Sequence, residues 1–418
     1  MKILISTVGS HGDVLPNIAI GREMHRRGYE VVVFANPHFS DHVTDAGLRF
    51  VPVGALDQYT SGSSNFTKSN PRKALHGHRY ADICRDHYHA MKAEIVPKQT
   101  ITISGNPFLW YAPRLLQETD GIPCAAIYLM PSVFRSNLKP PRLTPNWINA
   151  NTPMLIKRAI WWGADKFYFE PVFTEPLNRV RTELGLVPVR NIFRAWIYQA
   201  DCGLGMFPEW FAPPQADWPA NMVLPGFPFY DDGAHSPLPA QLAEFIQAGP
   251  APVGFSVGTA KAKNFFETSV AACRLAGVRG ILISHSSEQI PTPLPADIMH
   301  VTYAPYAALL PKLGAFVHHG GIGSTGQALR AGVPQLIRPV AYDQFDNSAR
   351  AGQLGVAREL LPERYSARSV ADVLAFLMSD VDVRKRCQET AARFANGDNA
   401  IQVACDTILS RCVPPSGD

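Results

Sequence analysis

The chain has little that would mark it for a bilayer, an oxidising compartment or a nucleic acid. Nothing in its 418 residues approaches the run of about 20 apolar residues that a membrane-spanning helix needs. Its opening, MKILISTVGSHGD, goes straight into a strand and a glycine turn, without the long apolar stretch and small-residue cleavage site of a secretory leader. The expected location is the cytoplasm. The seven cysteines are scattered, odd in number and include no C-x-x-C pair, which argues against a disulfide framework and a zinc site. The net charge of +4 is mild and dispersed, with no long block of one sign, so nucleic acid is not an expected partner. There is no short-period repeat and no low-complexity tract.

What is present is the composition of a globular protein, 46% hydrophobic and 18% charged, with room for two ordinary domains. Apolar strands alternate with helical stretches. The first half offers strands at 3–8, 30–36, 48–54, 108–111, 124–130 and 202–207, with a helix over 14–27. A proline- and glycine-rich stretch at 224–239 reads as a linker. The alternation then restarts, with strands at 253–258, 280–284, 300–304, 315–319 and 334–339. Such alternation predicts an α/β protein with two doubly wound parallel sheets, each binding ligands at the carboxyl ends of its strands. Irregular segments at 58–81 and 134–162 are where specificity would be built, or are surface loops.

The richest stretch is 315–339, AFVHHGGIGSTGQALRAGVPQLIRP. It reads as a strand ending at His318 and His319, a glycine turn, a helix from about Ser324, a stop at Gly332 and another strand. Glycines let backbone approach an anion, a helix N-terminus supplies free N–H groups and partial positive charge, and an adjacent histidine adds a donor. The ligand this corner suits is a phosphate or diphosphate. Gly321 to Gly326 also fits G-x-G-x-x-G, with Asp343 near where a ribose-binding acid would lie. A dinucleotide fingerprint, however, opens its domain on the first strand, and this one comes late.

Three further pieces join it. Gly9-Ser10-His11-Gly12-Asp13 follows the first strand and carries a carboxylate and an imidazole to the sheet edge, unless Asp13 merely caps the next helix. Ser256-Val257-Gly258-Thr259 ends another strand in a small turn. Asp343-Gln344 could hold sugar hydroxyls or cap a helix. The D-x-D run at 380–382 precedes a charged helical stretch and reads as a helix start rather than a metal site.

Together these pieces resemble the GT-B glycosyltransferases of the nucleotide-sugar-dependent family that includes plant, antibiotic and sterol enzymes. The resemblance spans nearly the whole chain. Its nearest branch looks like the bacterial rhamnosyltransferases that form mono-rhamnolipids, on 207–219 (FPEWFAPPQADWP), 224–231 (LPGFPFYD), 303–311 (YAPYAALLP), 318–323 (HHGGIG) and 343–347 (DQFDN). It implies two Rossmann-like domains facing across a cleft: an acceptor domain at 1–223, a linker at 224–239, a donor domain at 240–395, and a final helix within 396–418 that returns to the first domain. By resemblance His319 contacts the donor diphosphate, with Gly321, Gly323, Ser324 and Thr325 around it, and Gly12, Gly258 and Thr259 also approach the donor. Gln327 stands where many members have a ribose-binding glutamate. Tyr303 and Ala304 match the segment beside the uracil or thymine base, where plant members carry tryptophan at the position of Tyr303. Asp343 and Gln344 match the pair that holds the sugar. Asp13 aligns with the histidine base of plant enzymes and with an aspartate of antibiotic ones.

The chemistry implied is a single displacement with inversion. A base, Asp13 or else His11, takes the acceptor proton, and a UDP- or dTDP-sugar gives up its hexose, rhamnose or glucose, with no cofactor and no metal. The acceptor implied is lipophilic: a hydroxy-fatty-acid lipid, a sterol or a phenolic. The segment 154–169 mixes Trp161, Trp162 and Phe167 with Lys157, Arg158 and Lys166, and suits either a membrane surface, at the inner face, or a cover over the acceptor pocket. The rival readings are a nucleotide-sugar epimerase, a non-catalytic helper that would have lost the donor residues, and, weakest, a nicotinamide enzyme.

Overall fold

The computed structural model describes residues 1–56, 77–106, 111–145, 148–230, 237–258, 264–395 and 399–413. The chain divides into two compact units. The first comprises Met1–Pro141, Ile148–Tyr230 and Asn399–Asp418, and the second Arg142–Trp147 and Asp231–Asp398.

The first unit holds six parallel strands, β1 (Lys2–Thr7), β2 (Glu30–Ala35), β3 (Arg49–Pro52), β4 (Thr100–Gly105), β5 (Cys124–Tyr128) and β6 (Cys202–Gly205), in the order β3-β2-β1-β4-β5-β6. β1 is buried along both faces, which is why KILIST reads as a near-continuous apolar run rather than an alternation. Ile3 pairs with Val31 on one side and Ile101 on the other. The order reverses between β1 and β4. Loops after these two strands therefore diverge, leaving a crevice at their carboxyl ends. The expected strand at 108–111 lies largely outside the described residues, as does most of 58–81. β4 was not expected: its TITISG is half Thr and Ser, yet all six residues are buried. Thr102 satisfies its hydroxyl on the Pro123 carbonyl, which is what allows a polar strand to sit at the sheet centre.

The second unit repeats the plan with β7 (Val253–Ser256), β8 (Gly280–Ile283), β9 (Ile298–Val301), β10 (Ala315–His318), β11 (Gln335–Ile337) and β12 (Ala357–Glu359), ordered β12-β11-β10-β7-β8-β9. Its reversal lies between β10 and β7. β12 also was not expected, because three residues, ARE, carry no apolar run to find. The short segment at 142–147 belongs here: the Arg142 guanidinium grips Glu359 at 2.7 and 2.9 Å, and its N–H donates to Asp346.

Helix Ala400–Cys412 packs in the first unit, placing Ala404, Cys405, Ile408 and Cys412 in the same core as Ile3, Ile18 and Val31. The D-x-D run opens helix Val381–Ala395, where Asp380 accepts the Val383 N–H at 2.8 Å.

Candidate functional site: two glycine corners at the strand reversals

In the second unit the corner forms where β10 ends. His318 is fully buried; its Nδ1 accepts the Gly320 N–H at 3.1 Å, so its proton sits on Nε2 and is donated to Gln335 Oε1 at 3.0 Å. Burial pushes this imidazole down to about 3, so it is a neutral strut. His319, the next residue, has a different fate. Burial lowers it to about 4, and its Nδ1 is buried with no hydrogen-bond partner among the described residues. Two glycines make room for the ring. A Cβ on Gly258 would lie 2.8 Å from His319 Cε1, and one on Gly321 2.5 Å from Nε2. Gly258 also holds φ +62, where a side chain would strain the backbone.

The helix here is Ile322–Ala331. It begins two residues earlier than the expected start at Ser324, because Gly321 takes the N-cap place. Ser324 is therefore inside the first turn, and the first-turn N–H groups have no intrahelical acceptor. Thr325 is buried and gives its hydroxyl proton to the Gly321 carbonyl at 3.0 Å, while Gly323 is exposed. Gln327 accepts from Arg330 at 3.0 Å. Gly332 ends the helix in the left-handed conformation at φ 66.

Asp343 stands at the N-cap place of helix Gln344–Gln353 without capping it by its side chain; it accepts instead from Asn347 Nδ2 at 2.7 Å. Gln344 uses its side-chain oxygen to clasp the Val340 and Ala341 N–H groups at 2.8 and 3.2 Å. Tyr303 is exposed, its ring stacked 6.4 Å from His285, and Ala304 is buried below it. Thr259 lies outside the described residues.

Two connecting residues escaped sequence reasoning. Asn347 donates both to Asp343 and, at 2.9 Å, to the Gly320 carbonyl, so it ties the Asp343 carboxylate to the glycine turn. Tyr306 donates to Ser256 Oγ at 3.0 Å, which accepts the Gly258 N–H at 3.2 Å, and Tyr306 also bonds Ser324. Both lie inside quoted motifs, DQFDN and YAPYAALLP. Only the fold reveals that they brace other segments.

The first unit has its own corner, after β1. Gly9 takes φ +130, and a Cβ there would come within 2.5 Å of the Asp13 carboxylate. Helix His11–Arg26 starts at once, with Ser10 as N-cap. Asp13 turns back: Oδ2 accepts from the Ser10 N–H and hydroxyl, each at 2.8 Å, and Oδ1 accepts from Asn106 at 3.1 Å. Asp13 thus closes a capping box with the N-cap Ser10 at the helix start. Burial raises its pKa above the usual carboxylate value, and the Ser10 and Asn106 hydrogen bonds oppose the rise. Gly12 is exposed at the helix start. His11 is half-buried, its ring edge-on to His38, Phe39 and His42 at 5.1–5.3 Å.

Helix Met154–Ala164 continues as a wider π-type helix over Asp165–Thr174. Leu155, Trp162 and Phe167 are exposed, and the Lys166 ammonium lies 4.9 Å from the Trp162 ring. Lys157 and Trp161 face inward, Lys157 donating to the Asn137 and Ala150 carbonyls at 2.9 and 2.8 Å. Among the described residues no group of three or more His, Cys, Asp or Glu is placed to hold a metal, and no helix is long and apolar enough to cross a membrane.

Two domain families match the chain in tandem. Residues 3–138 match the glycosyltransferase family 28 N-terminal domain, and residues 278–408 the C-terminal domain of erythromycin biosynthesis protein CIII-like proteins. The chain has the α/β fold of GT-B glycosyltransferase structures, and two of its segments match these two domain families. Among similar proteins, the O-mycaminosyltylonolide 6-deoxyallosyltransferase of Streptomyces fradiae is 26% identical, over 97% of this chain and 96% of its own. The sterol 3-beta-glucosyltransferase of Debaryomyces hansenii is 25% identical over 96% of this chain. This GT-B chain spans only about a quarter of the length of that relative, 26%. Two solved structures share the fold: the calicheamicin glycosyltransferase, with a TM-score of 0.73 at 19% identity over 100% of this chain and 99% of that one, and the glycosyltransferase VinC in complex with dTDP, with 0.66 at 19% identity over 98% of each.

Proposed function

We propose that this chain is an inverting, metal-independent glycosyltransferase that moves a hexose from a dTDP- or UDP-sugar to a hydroxyl of a lipophilic acceptor. The observation that carries the reading is the buried Nδ1 of His319, without a hydrogen-bond partner among the described residues, beside a glycine-opened helix N-terminus. A neutral imidazole can donate to a diphosphate oxygen without a charge of its own, and the first-turn N–H groups can oppose the negative charge that grows on the leaving diphosphate. Asp343 and Gln344 are the proposed sugar ligands, and Tyr303 the exposed ring for the base. Tyr306 and Asn347 are proposed to hold these groups in register. Asp13 is the proposed base, since a raised pKa brings a carboxylate nearer to the range where general base catalysis works.

The relatives act on sterols and on a macrolide, and the tryptophan-rich run at 207–219 favours the rhamnolipid-forming branch. The proposed acceptor is accordingly a hydroxy-fatty-acid lipid, a sterol or a phenolic, and the proposed domains are 1–223 for the acceptor and 240–395 for the donor. The test is a mass-spectrometric screen of dTDP- and UDP-linked glucose and rhamnose against mixed hydroxy-fatty-acid lipids, sterols and phenols, in EDTA. A glycosylated acceptor with inverted anomeric configuration is expected. In the pair found, His319→Ala is expected to lower turnover roughly ten- to a hundredfold and to weaken dTDP or UDP binding. Wild-type affinity and rate in that variant would remove His319 from the site, and products formed only with added metal would overturn the metal-free reading.

Peripheral membrane contact is proposed for the surface around Leu155, Trp162 and Phe167, where exposed apolar side chains stand beside the exposed cations Arg158 and Lys166. The full chain is expected to co-float with vesicles containing phosphatidylglycerol, and the Trp162→Ala/Phe167→Ala double variant to stay behind. Equal flotation of both proteins would rule this surface out.

A further inference from the structure

Asn106 has no place in the sequence motifs, yet among the described residues it is the one outside the glycine corner whose side chain reaches the Asp13 carboxylate. It follows β4, the neighbour of β1 at the point where strand order reverses. Its backbone is held by the Ile127 carbonyl at 3.1 Å and takes φ 66, a left-handed conformation that asparagine tolerates better than most residues. The side chain is buried and aims its amide at Oδ1.

A carboxylate has about four lone-pair sites. Oδ2 uses two on Ser10, one on its N–H and one on its hydroxyl. Oδ1 uses one on Asn106. Among the described residues nothing takes the remaining site, on Oδ1. We infer that Asn106 is a positioning residue that orients Asp13 Oδ1 as the atom that accepts a proton and sets how readily it does so. The inference rests on Asp13 being the base of the proposed reaction, but the hydrogen bond that carries it can be tested apart from turnover.

The physical effect has a definite sign. A donor to the charged carboxylate favours that form, so Asn106 holds the Asp13 pKa down against burial. The other groups acting on Asp13 are the Ser10 N–H and hydroxyl. The titratable neighbour on its own helix, His11, faces His38 and His42, which lie on the short helices Pro37–Phe39 and Ser40–Asp45 after β2.

The experiment is a linkage titration. The difference in unfolding free energy between the wild-type chain and Asp13→Asn is followed from pH 4 to 8. Other titrating groups cancel in the difference, and its inflection reports the folded-state pKa of Asp13. The same difference is then measured on an Asn106→Gly background, which accepts the left-handed backbone but lacks the amide. The inflection is expected to rise by about one pH unit. On an Asn106→Asp background, where shape is kept and a second carboxyl replaces the donor, a larger rise is expected. A purely structural asparagine would change overall stability and leave the inflection in place, and that result in both backgrounds overturns the inference. Should Asp13→Asn retain full turnover while the inflection moves, the base assignment fails and the hydrogen-bond effect stands.

Discussion

Asp13→Asn is expected to lower turnover by about a hundredfold or more, with donor affinity nearly unchanged. The substitution isolates charge from shape. Asp13 Oδ2 holds the start of helix His11–Arg26 through Ser10, and an asparagine oxygen can accept the Ser10 N–H in the same way. Asn106 can turn its amide to offer an oxygen to the new NH2 group. The melting temperature should therefore fall by only a few degrees. What disappears is the lone pair that would receive the acceptor proton. A large drop in melting temperature with turnover intact would leave Asp13 a cap and nothing more. Full activity in this variant combined with an inactive His11→Ala would transfer the role of base to His11.

Acidification should weaken the two units unequally. His87 in the first unit is buried, hydrogen-bonded to Ser6 at 2.9 Å, and pushed down to about 3 by burial. In the second unit His318 is lowered to about 3 and His319 to about 4, again by burial. Each folded imidazole is neutral, so as pH falls through about 6.5 the unfolded chain takes up the proton first. Stability is whole above that pH and declines on the way down to the folded values, at about 1.4 kcal/mol per pH unit for each histidine. By pH 5 the first unit should have lost about 2 kcal/mol through His87, plus a contribution from His38, which burial also lowers but not far enough to match the other three, and the second, through His318 and His319, nearer 4. The Arg-paired carboxylates Glu23 and Glu94, held at about 2, enter only later, as pH falls through the ordinary glutamate value of 4.5 toward the folded one. Calorimetry between pH 7.5 and 5 should show the second unit's transition moving down faster. Transitions that do not move across this interval would mean that these imidazoles are protonated in the folded protein.

Much of this site is legible in the chain because its parts are local. A strand that stops at two histidines, a glycine turn and a helix start sit within 315–339, and short-range rules suffice to read them. The first corner is legible for the same reason, as a strand followed by Gly9 to Asp13. What escaped is what depends on strand order. Asn106 meets Asp13 because β4 lies beside β1, although 93 residues separate them. Tyr306 reaches Ser256 across 50 positions. β4 itself was missed because Thr and Ser broke the apolar run, and the Thr102 hydroxyl finds its acceptor, the Pro123 carbonyl, only after the neighbouring strand is in place. Thr325 shows the converse limit: its hydroxyl has the right chemistry for a phosphate donor, but the fold gives it to the Gly321 carbonyl.

Helix Ala400–Cys412 has a consequence for the order in which the protein is made. The apolar face formed by Ile3, Ile18 and Val31 is finished by side chains from the far end of the chain. During synthesis that face stays open while the whole second unit, which ends by Asp398, emerges from the ribosome. The unit that begins first is therefore completed last. For that interval the core around β1 and β2 lacks this cover, and a chain cut short before Ala400 would lack it for good.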